Sequence, residues 1–353
     1  MTAIKAAADS MFMDFLAYLA AMVIDLYLID HHDHCPQGVA MPLDPIAKRL
    51  LTMMAAGTSP DRKRPTPDER RQALAKLMQF ARADSADVTS ENGALPGPGG
   101  AVAYRLYAPA TQPRESVPGF VFFHGGGLVA GSIETHDRVA AALAQATGCR
   151  LISVDYRLAP EHKFPAAVED AIAATQYVLA NAAELGIDPR RVVIGGDSAG
   201  ATLAAAVCQH AQQNAWPQIA AQCLICPVLD FEEISPSRQE FAENYLIDRT
   251  TLEADLADYL TDDADVADPR ISPLRAFHVA GLPPAIIHTA EYDPMRDEGN
   301  AYARKLLAAG VAVEHVCHDG MIHNFHAMGA LLPQAQLVLS QIGEQIRRAV
   351  GSC

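Results

Sequence analysis

The chain has 353 residues, half of them apolar and 20% charged, enough to bury the core of one large domain with an added lid or of two smaller domains. Its 27 basic against 42 acidic side chains leave a net charge of −15, which argues against nucleic acid, anionic membrane surfaces and strongly anionic substrates. Seven scattered cysteines, an odd number, do not read as a disulfide framework, so a reducing, cytoplasmic setting is expected.

The first eighty residues read as helical. Met11 to Ile29 is too interrupted by Asp14 and Asp25 to span a membrane. At 100° per residue those two aspartates fall within about 20° of one another, which makes an amphipathic helix with a broad apolar side. Asp30-His31-His32-Asp33-His34-Cys35 is rich in metal-ligand types, but with no partner motif elsewhere it reads as a solvated helix end, and no metal site is expected. A second helical stretch carries Ile46, Leu50, Leu51 and Met54, and a Pro/Arg linker (60 to 67) leads to a third over 69 to 81.

From Ala101 the pattern changes. Short apolar runs at 102–107, 120–123, 151–154, 192–194, 223–229, 285–289 and 311–316 alternate with helical segments at 137–146, 166–184, 199–213 and 297–309. Buried strands alternating with helices predict an α/β domain over 86–353, a mostly parallel central sheet with helices on both faces. Cys223 and Cys226 have redox or metal spacing, but they sit in a strand run without a second pair and read as packing. The alternation breaks once. Residues 232–268 hold twelve acids against Arg238 and Arg249, an acidic excursion outside the sheet. Within it Thr250 and Glu253 have capping-box spacing, and Leu252, Leu256 and Leu260 form one stripe able to face a pocket.

Chemistry enters at Gly196-Asp197-Ser198-Ala199-Gly200, between a strand and an alanine-rich helix. A strand that turns sharply into a helix rejects side chains inside the bend, so glycines flank an exposed central serine at the positive end of the helix. A serine nucleophile needs oxyanion donors, a histidine base and a carboxylate that orients the histidine. His124-Gly125-Gly126-Gly127 follows the strand 120–123 and frees backbone N–H groups to face a ligand; the absence of a G-K-[ST] sequence argues against a phosphate loop. Asp293, fixed by Pro294 after the strand 285–289, is the best-placed acid, with Glu291 and Asp297 as fallbacks. Arg296 with Asp297 or Glu298 reads as structural pairing. His323 leaves the last strand through Gly320, whereas His315 and His318 lie on it and His326 starts the final helix. The order Ser198, Asp293, His323 is the one expected on an α/β-hydrolase sheet.

With these pieces in place, the chain resembles the hormone-sensitive-lipase-like esterases, the bacterial family IV carboxylesterases. The matching motifs are His124-Gly125-Gly126-Gly127, the stretch Asp155 to Ala166, Gly196 to Gly200, Asp293 to Gly299 and Gly320 to Phe325. The resemblance implies an α/β-hydrolase fold, Ser198 as nucleophile, His323 as base and Asp293 as orienting acid. It places the oxyanion hole at the N–H groups of Gly125, Gly126 and Ala199. It further implies a helical cap from residues 1–85 and the excursion at about 232–270, short to medium acyl esters as substrates, no cofactor, and a possible homodimer. Tyr156, Arg157 and Glu161 match a family stretch read as structural. Where the family has an aromatic after the glycines, this chain has Leu128 and Val129, which alter the pocket wall together with Leu252 and Leu256. Residues 1–40 look like an extra leader, expected to form an added lid or dimer helix. Amide or carbamate cleavage is the nearest alternative chemistry. A ligand-binding protein on the same fold is the alternative class, disfavoured because Ser198, Asp293 and His323 are all present.

Overall fold

The computed structural model describes residues 41–56, 64–81, 87–110, 116–232 and 234–351. The helix expected at 11–29, the histidine cluster at 30–35, the 1–40 leader and part of the Pro/Arg linker lie outside them.

Among the described residues two helices come first, α1 (Pro45–Ala56) and α2 (Pro67–Met78). Thr66 and Glu69 close a capping box at the start of α2, with Pro67 in its first turn. The strands are β1 (Val88–Gly97), β2 (Gly100–Pro109), β3 (Val117–Phe123), β4 (Arg150–Asp155), β5 (Ile187–Asp197), β6 (Ala221–Ile225), β7 (Ala285–Tyr292) and β8 (Val313–Ile322). They form one sheet in the order β1-β2-β4-β3-β5-β6-β7-β8. β2 pairs antiparallel with β1 and β4, and every other neighbouring pair is parallel. The helices α3 (Ile133–Thr147), α4 (Ala166–Ala180), α5 (Ala199–Gln213), α8 (Arg296–Ala308) and α9 (Pro333–Ala349) connect or follow the strands. Alternate residues of β3 serve opposite faces: Val121 and Phe123 join one core cluster, Phe120 and Phe122 the other. A sheet covered on both faces is why these strands read as continuous apolar runs.

β1 was not anticipated. It is mostly solvent-exposed and carries Asn92, Gly93 and Pro96, so neither alternation nor an apolar run marks it; pairing with β2 makes it a strand.

The acidic excursion does leave the sheet, between β6 and β7. It holds α6 (Pro236–Glu240) and α7 (Arg249–Tyr259). The expected capping box is replaced: Asp248, not Thr250, caps α7 by accepting the Thr251 N–H. Thr251, Ala254, Asp255 and Tyr259 form the buried face, and Leu252, Leu256 and Leu260 are half-buried.

The excursion and the α2 region are tied together. Arg64 donates to the Ala254 carbonyl and to Asp258, and Arg70 makes a two-pronged pair with Asp255 at 2.9 and 2.6 Å. Both are anchored to the sheet domain through the stretch expected to be structural. Arg71 pairs with Glu161, Lys163 donates to the Ala257 and Leu260 carbonyls at the end of α7, and Arg157 holds the buried Asp170. No helix among the described residues is long and apolar enough to cross a membrane. Cys149, Cys208, Cys223 and Cys226 are buried and outside any disulfide, in keeping with the packing role read for the last two. Cys317 departs from the thiol reading and is disulfide-bonded.

Candidate active site

β5 ends at Asp197 and α5 begins at Ala199, so Ser198 alone makes the corner, with φ 54° and ψ −120°. That left-handed backbone is costly for a residue with a side chain and is held by its surroundings. The Ser198 N–H donates to the Ile225 carbonyl, and its own carbonyl accepts from Ala201 and Val228. A Cβ at Gly196 would strike the Phe123 carbonyl and the backbone of Gly200. One at Gly200 would strike the Phe123 and His124 carbonyls. The glycines are therefore required by the close pass of β3 against the corner.

Ser198 Oγ lies 3.0 Å from His323 Nε2, and His323 Nδ1 lies 2.8 Å from Asp293 Oδ2. With Nδ1–H donated to the carboxylate, Nε2 is left to accept the serine proton. Asp293 Oδ1 accepts the Met295 N–H at 2.8 Å, so both carboxylate oxygens are fixed. All three side chains are buried. β7 and β8 are neighbours, and each ends where its residue is needed, Tyr292 just before Asp293 and Ile322 just before His323.

The alternative candidates have other partners. Glu291 accepts the N–H groups of Met41 and Gly320, which pins the approach to the histidine loop, and Asp297 accepts the Ser237 N–H. Arg296 pairs with Asp297 and Glu240. Glu298 is buried, takes the Leu229 and Asp230 N–H groups and pairs with Arg238 of α6 at 2.5 Å. His326 sits in a short 3-10 turn, Phe325–Ala327, not in the final helix, which begins at Pro333. His318 donates to or accepts from His288 at 2.8 Å.

The glycine run lies directly against this corner, but its donors divide unexpectedly. Gly125 N–H is already donated to Asp197 Oδ1 at 3.0 Å, so the expectation that it faces an oxyanion is amended. Gly126 (φ 127°) and Gly127 (φ 67°) adopt backbone that side chains resist. Their N–H groups and that of Ala199 have no acceptor among the described residues. Ala199 is the first residue of α5, where the helix dipole favours negative charge. His124 holds the strand end: Tyr156 Oη donates to its carbonyl at 2.6 Å and the two rings stack.

Asp197 is buried with His124, His136 and His326 around it; its Oδ2 lies 3.6 Å from His136 Nε2 and 3.8 Å from His326 Nε2. Burial pushes its carboxyl up, but the imidazoles of His136, His326 and His124 outweigh this and hold it at about 2. Desolvation drives His124 down to about 3 and His326 to about 4. Sequence reasoning assigned Asp197 no role although it lies inside the serine motif.

Of the expected pocket residues, Leu128 and Val129 are buried in the core, where their carbonyls accept from Ala159 N–H and Arg71. Leu252 and Leu256 are half-buried on α7. The roof over the glycines was not legible. Leu74 of α2 faces Gly126, and a Cβ on Gly127 would overlap the carboxylate of Asp255. A groove of about 400 Å³ runs between α1 and the excursion, lined by Leu43, Leu51, Glu243 and Tyr245 among others.

Residues 120–327 match the sequence profile of an alpha/beta hydrolase fold family. The chain belongs to that family. It is 35% identical over 316 residues to an ethyl acetate hydrolase of Pseudomonas putida, covering 87% of this chain and 99% of that one. It is 40% identical over 238 residues to the carboxylesterase NlhH of Mycobacterium tuberculosis, 66% of this chain and 74% of that one. Among solved structures, an ester hydrolase from the metagenome of Lake Arreo, complexed with a bipyridine phosphonate derivative, is 37% identical with a TM-score of 0.84, covering 88% of this chain and all of that one. The expected likeness to family IV carboxylesterases is borne out, as is the fold class.

Proposed function

We propose that this chain hydrolyses carboxylic esters by two-step acyl transfer through Ser198. The observation that carries the reading is the unbroken chain from Asp293 Oδ2 to His323 Nδ1 and from His323 Nε2 to Ser198 Oγ, at 2.8 and 3.0 Å in a buried corner. Ser198 Oγ attacks the ester carbonyl as His323 Nε2 takes its proton, and Asp293 stabilises the imidazolium. The N–H groups of Gly126, Gly127 and Ala199 receive the oxyanion, and Gly125 anchors their loop to Asp197. His323 returns its proton to the leaving alcohol. Water then attacks the acyl-enzyme by the same route, releasing the acid and restoring the serine.

Apart from the ester and water, every group in these steps belongs to the protein, and the proposal uses no cofactor. Residues 41–81 and the excursion act as a cap over the site. Leu128, Val129, Leu252 and Leu256 are read as the apolar wall for a short to medium acyl chain; the ethyl acetate hydrolase among the relatives favours small esters. A homodimer is part of this reading and is checked by light scattering.

The deciding experiment compares p-nitrophenyl acetate, butyrate and octanoate with wild type and Ser198→Ala, followed by intact mass after treatment with a serine-reactive phosphonate. Turnover abolished in the variant, with one adduct on Ser198 of the wild type, is the expected result. A folded wild type with neither turnover nor adduct overturns the reading in favour of ligand binding without chemistry.

A further inference from the structure

β6 lies between β5, which delivers Ser198, and β7, which delivers Asp293. Its last residue, Ile225, pairs with Asp197 on one side and His288 on the other. The next residue, Cys226, therefore emerges between the nucleophile and the acid. Its N–H donates to the His288 carbonyl at 2.7 Å and its φ is 45°, a left-handed conformation that a side chain resists and that sites retain where it aims a group. The side chain is 1% exposed. Its Sγ, a carboxylate oxygen of Asp293 and a ring nitrogen of His323 all lie within 4.8 Å of one another.

We propose that Cys226 is a positioning residue for the triad, its thiol donating S–H to the Asp293 carboxylate. The inference rests on the triad read above. Asp293 has room for this donor: Met295 N–H occupies Oδ1 and His323 Nδ1–H occupies Oδ2, and each carboxylate oxygen accepts more than one bond. The backbone N–H of Asn324, the residue after His323, also acts on the sulfur. The thiol thus links the acid to the histidine loop. Burial and the neighbouring Asp293 and Asp197 carboxylates push the thiol up, so it stays protonated and can only donate toward Asp293. A cation between the three is disfavoured by geometry, because at 2.8 Å the His323 and Asp293 atoms are closer than two ligands each about 2 Å from one zinc in tetrahedral array.

A donor on the carboxylate drains its negative charge and weakens its hold on the imidazolium. Removing it makes His323 more basic, and the acid limb of kcat/KM reports that group. The titratable groups facing Cys226 are Asp293, His323 and Asp197, with His326 behind them. The experiment is the pH profile of kcat and KM on one p-nitrophenyl ester for wild type, Cys226→Ala, Cys226→Ser and Asp293→Asn. Cys226→Ala should raise the acid limb by roughly half a pH unit and lower kcat about threefold to tenfold with little change in KM. Cys226→Ser, which keeps a donor, should leave the limb at or below the wild-type position. An unmoved limb in the alanine variant, or an upward shift in the serine variant equal to that of alanine, overturns the role of the thiol. If alanine does not fold, the serine profile alone decides, since an upward shift contradicts donation. Full activity in Asp293→Asn would instead overturn the triad itself, which separates the two failures.

Discussion

Asp197 Oδ1 accepts the N–H of Gly125 at 3.0 Å, joining the residue before the serine to the first glycine of the loop. This bond engages the Gly125 N–H, so in the proposed mechanism Gly125 is the fixed point from which Gly126 and Gly127 are aimed at the oxyanion. Asp197→Ala leaves a buried N–H without a partner, a cost of about 1–3 kcal/mol, and frees the loop to rotate. The expected result is a loss of kcat/KM of roughly tenfold to a hundredfold. Asp197→Asn, which retains an oxygen acceptor, should lose less. Steady-state kinetics beside a thermal melt checks this: equal losses in the two variants would mean that charge, not the hydrogen bond, is what matters.

The strand-and-helix order from β2 onward and the meeting of Ser198, His323 and Asp293 were legible because each depends on local pattern: Gly196 and Gly200 around Ser198, Pro294 after Asp293, Gly320 before His323. What was not legible depends on partners far apart in sequence. Gly125 looks like a third equivalent glycine until the carboxylate of Asp197, 72 positions on, is seen to claim it. Arg70 and Asp255 are 185 positions apart, and on α7 the leucine stripe outweighs an aspartate in any periodicity argument. Yet Asp255 turns inward and the leucines stay half out, because Arg70 offers the carboxylate a buried partner.

The Arg70–Asp255 pair joins the two helical segments over the site with side chains 15% and 9% exposed. Burial raises the Asp255 carboxyl and Arg70 only partly offsets this, so the ion depends on its partner. Arg70→Ala strands a largely buried carboxylate and should cost about 3 kcal/mol, with Arg70→Ala/Asp255→Ala recovering much of it. Arg64 and Asp258 form the control: Arg64 is 51% exposed, and Arg64→Ala should cost under about 1 kcal/mol. Urea melts of the three variants beside the wild type test the contrast; equal costs at both sites would count against a buried latch.

Gly127 sits beneath that pair with φ 67°, and a Cβ there would overlap the Asp255 carboxylate. Gly127→Ala should therefore lower kcat by two penalties, a left-handed alanine at about 1 kcal/mol and a displaced Asp255. Adding Asp255→Ala removes the second penalty alone. Gly127→Ala/Asp255→Ala is expected to regain part of the activity lost by Gly127→Ala when each is compared with its own parent. Additive losses across the cycle would show that the two positions do not touch.

Acid should unfold this protein through its buried histidines. Desolvation lowers His124 and His288 to about 3 and His318 and His326 to about 4, whereas histidine in an unfolded chain titrates near 6.5. As the pH falls below about 6.5 the unfolded state takes up protons that the folded state refuses, so stability drops with pH until the folded groups titrate. Glu298 works the other way. Burial raises it to about 7, so between about 4.5 and 7 the folded state holds a proton that the unfolded state lacks. Four histidines against one carboxyl leave a net uptake of about three protons on unfolding, about 4 kcal/mol per pH unit near pH 5. Calorimetric Tm should be flat from pH 8 to 7 and fall steeply below 6. His318→Gln should make that fall shallower by about one proton, and a slope unchanged by this variant would mean that the His288 and His318 rings are not the groups that refuse the proton.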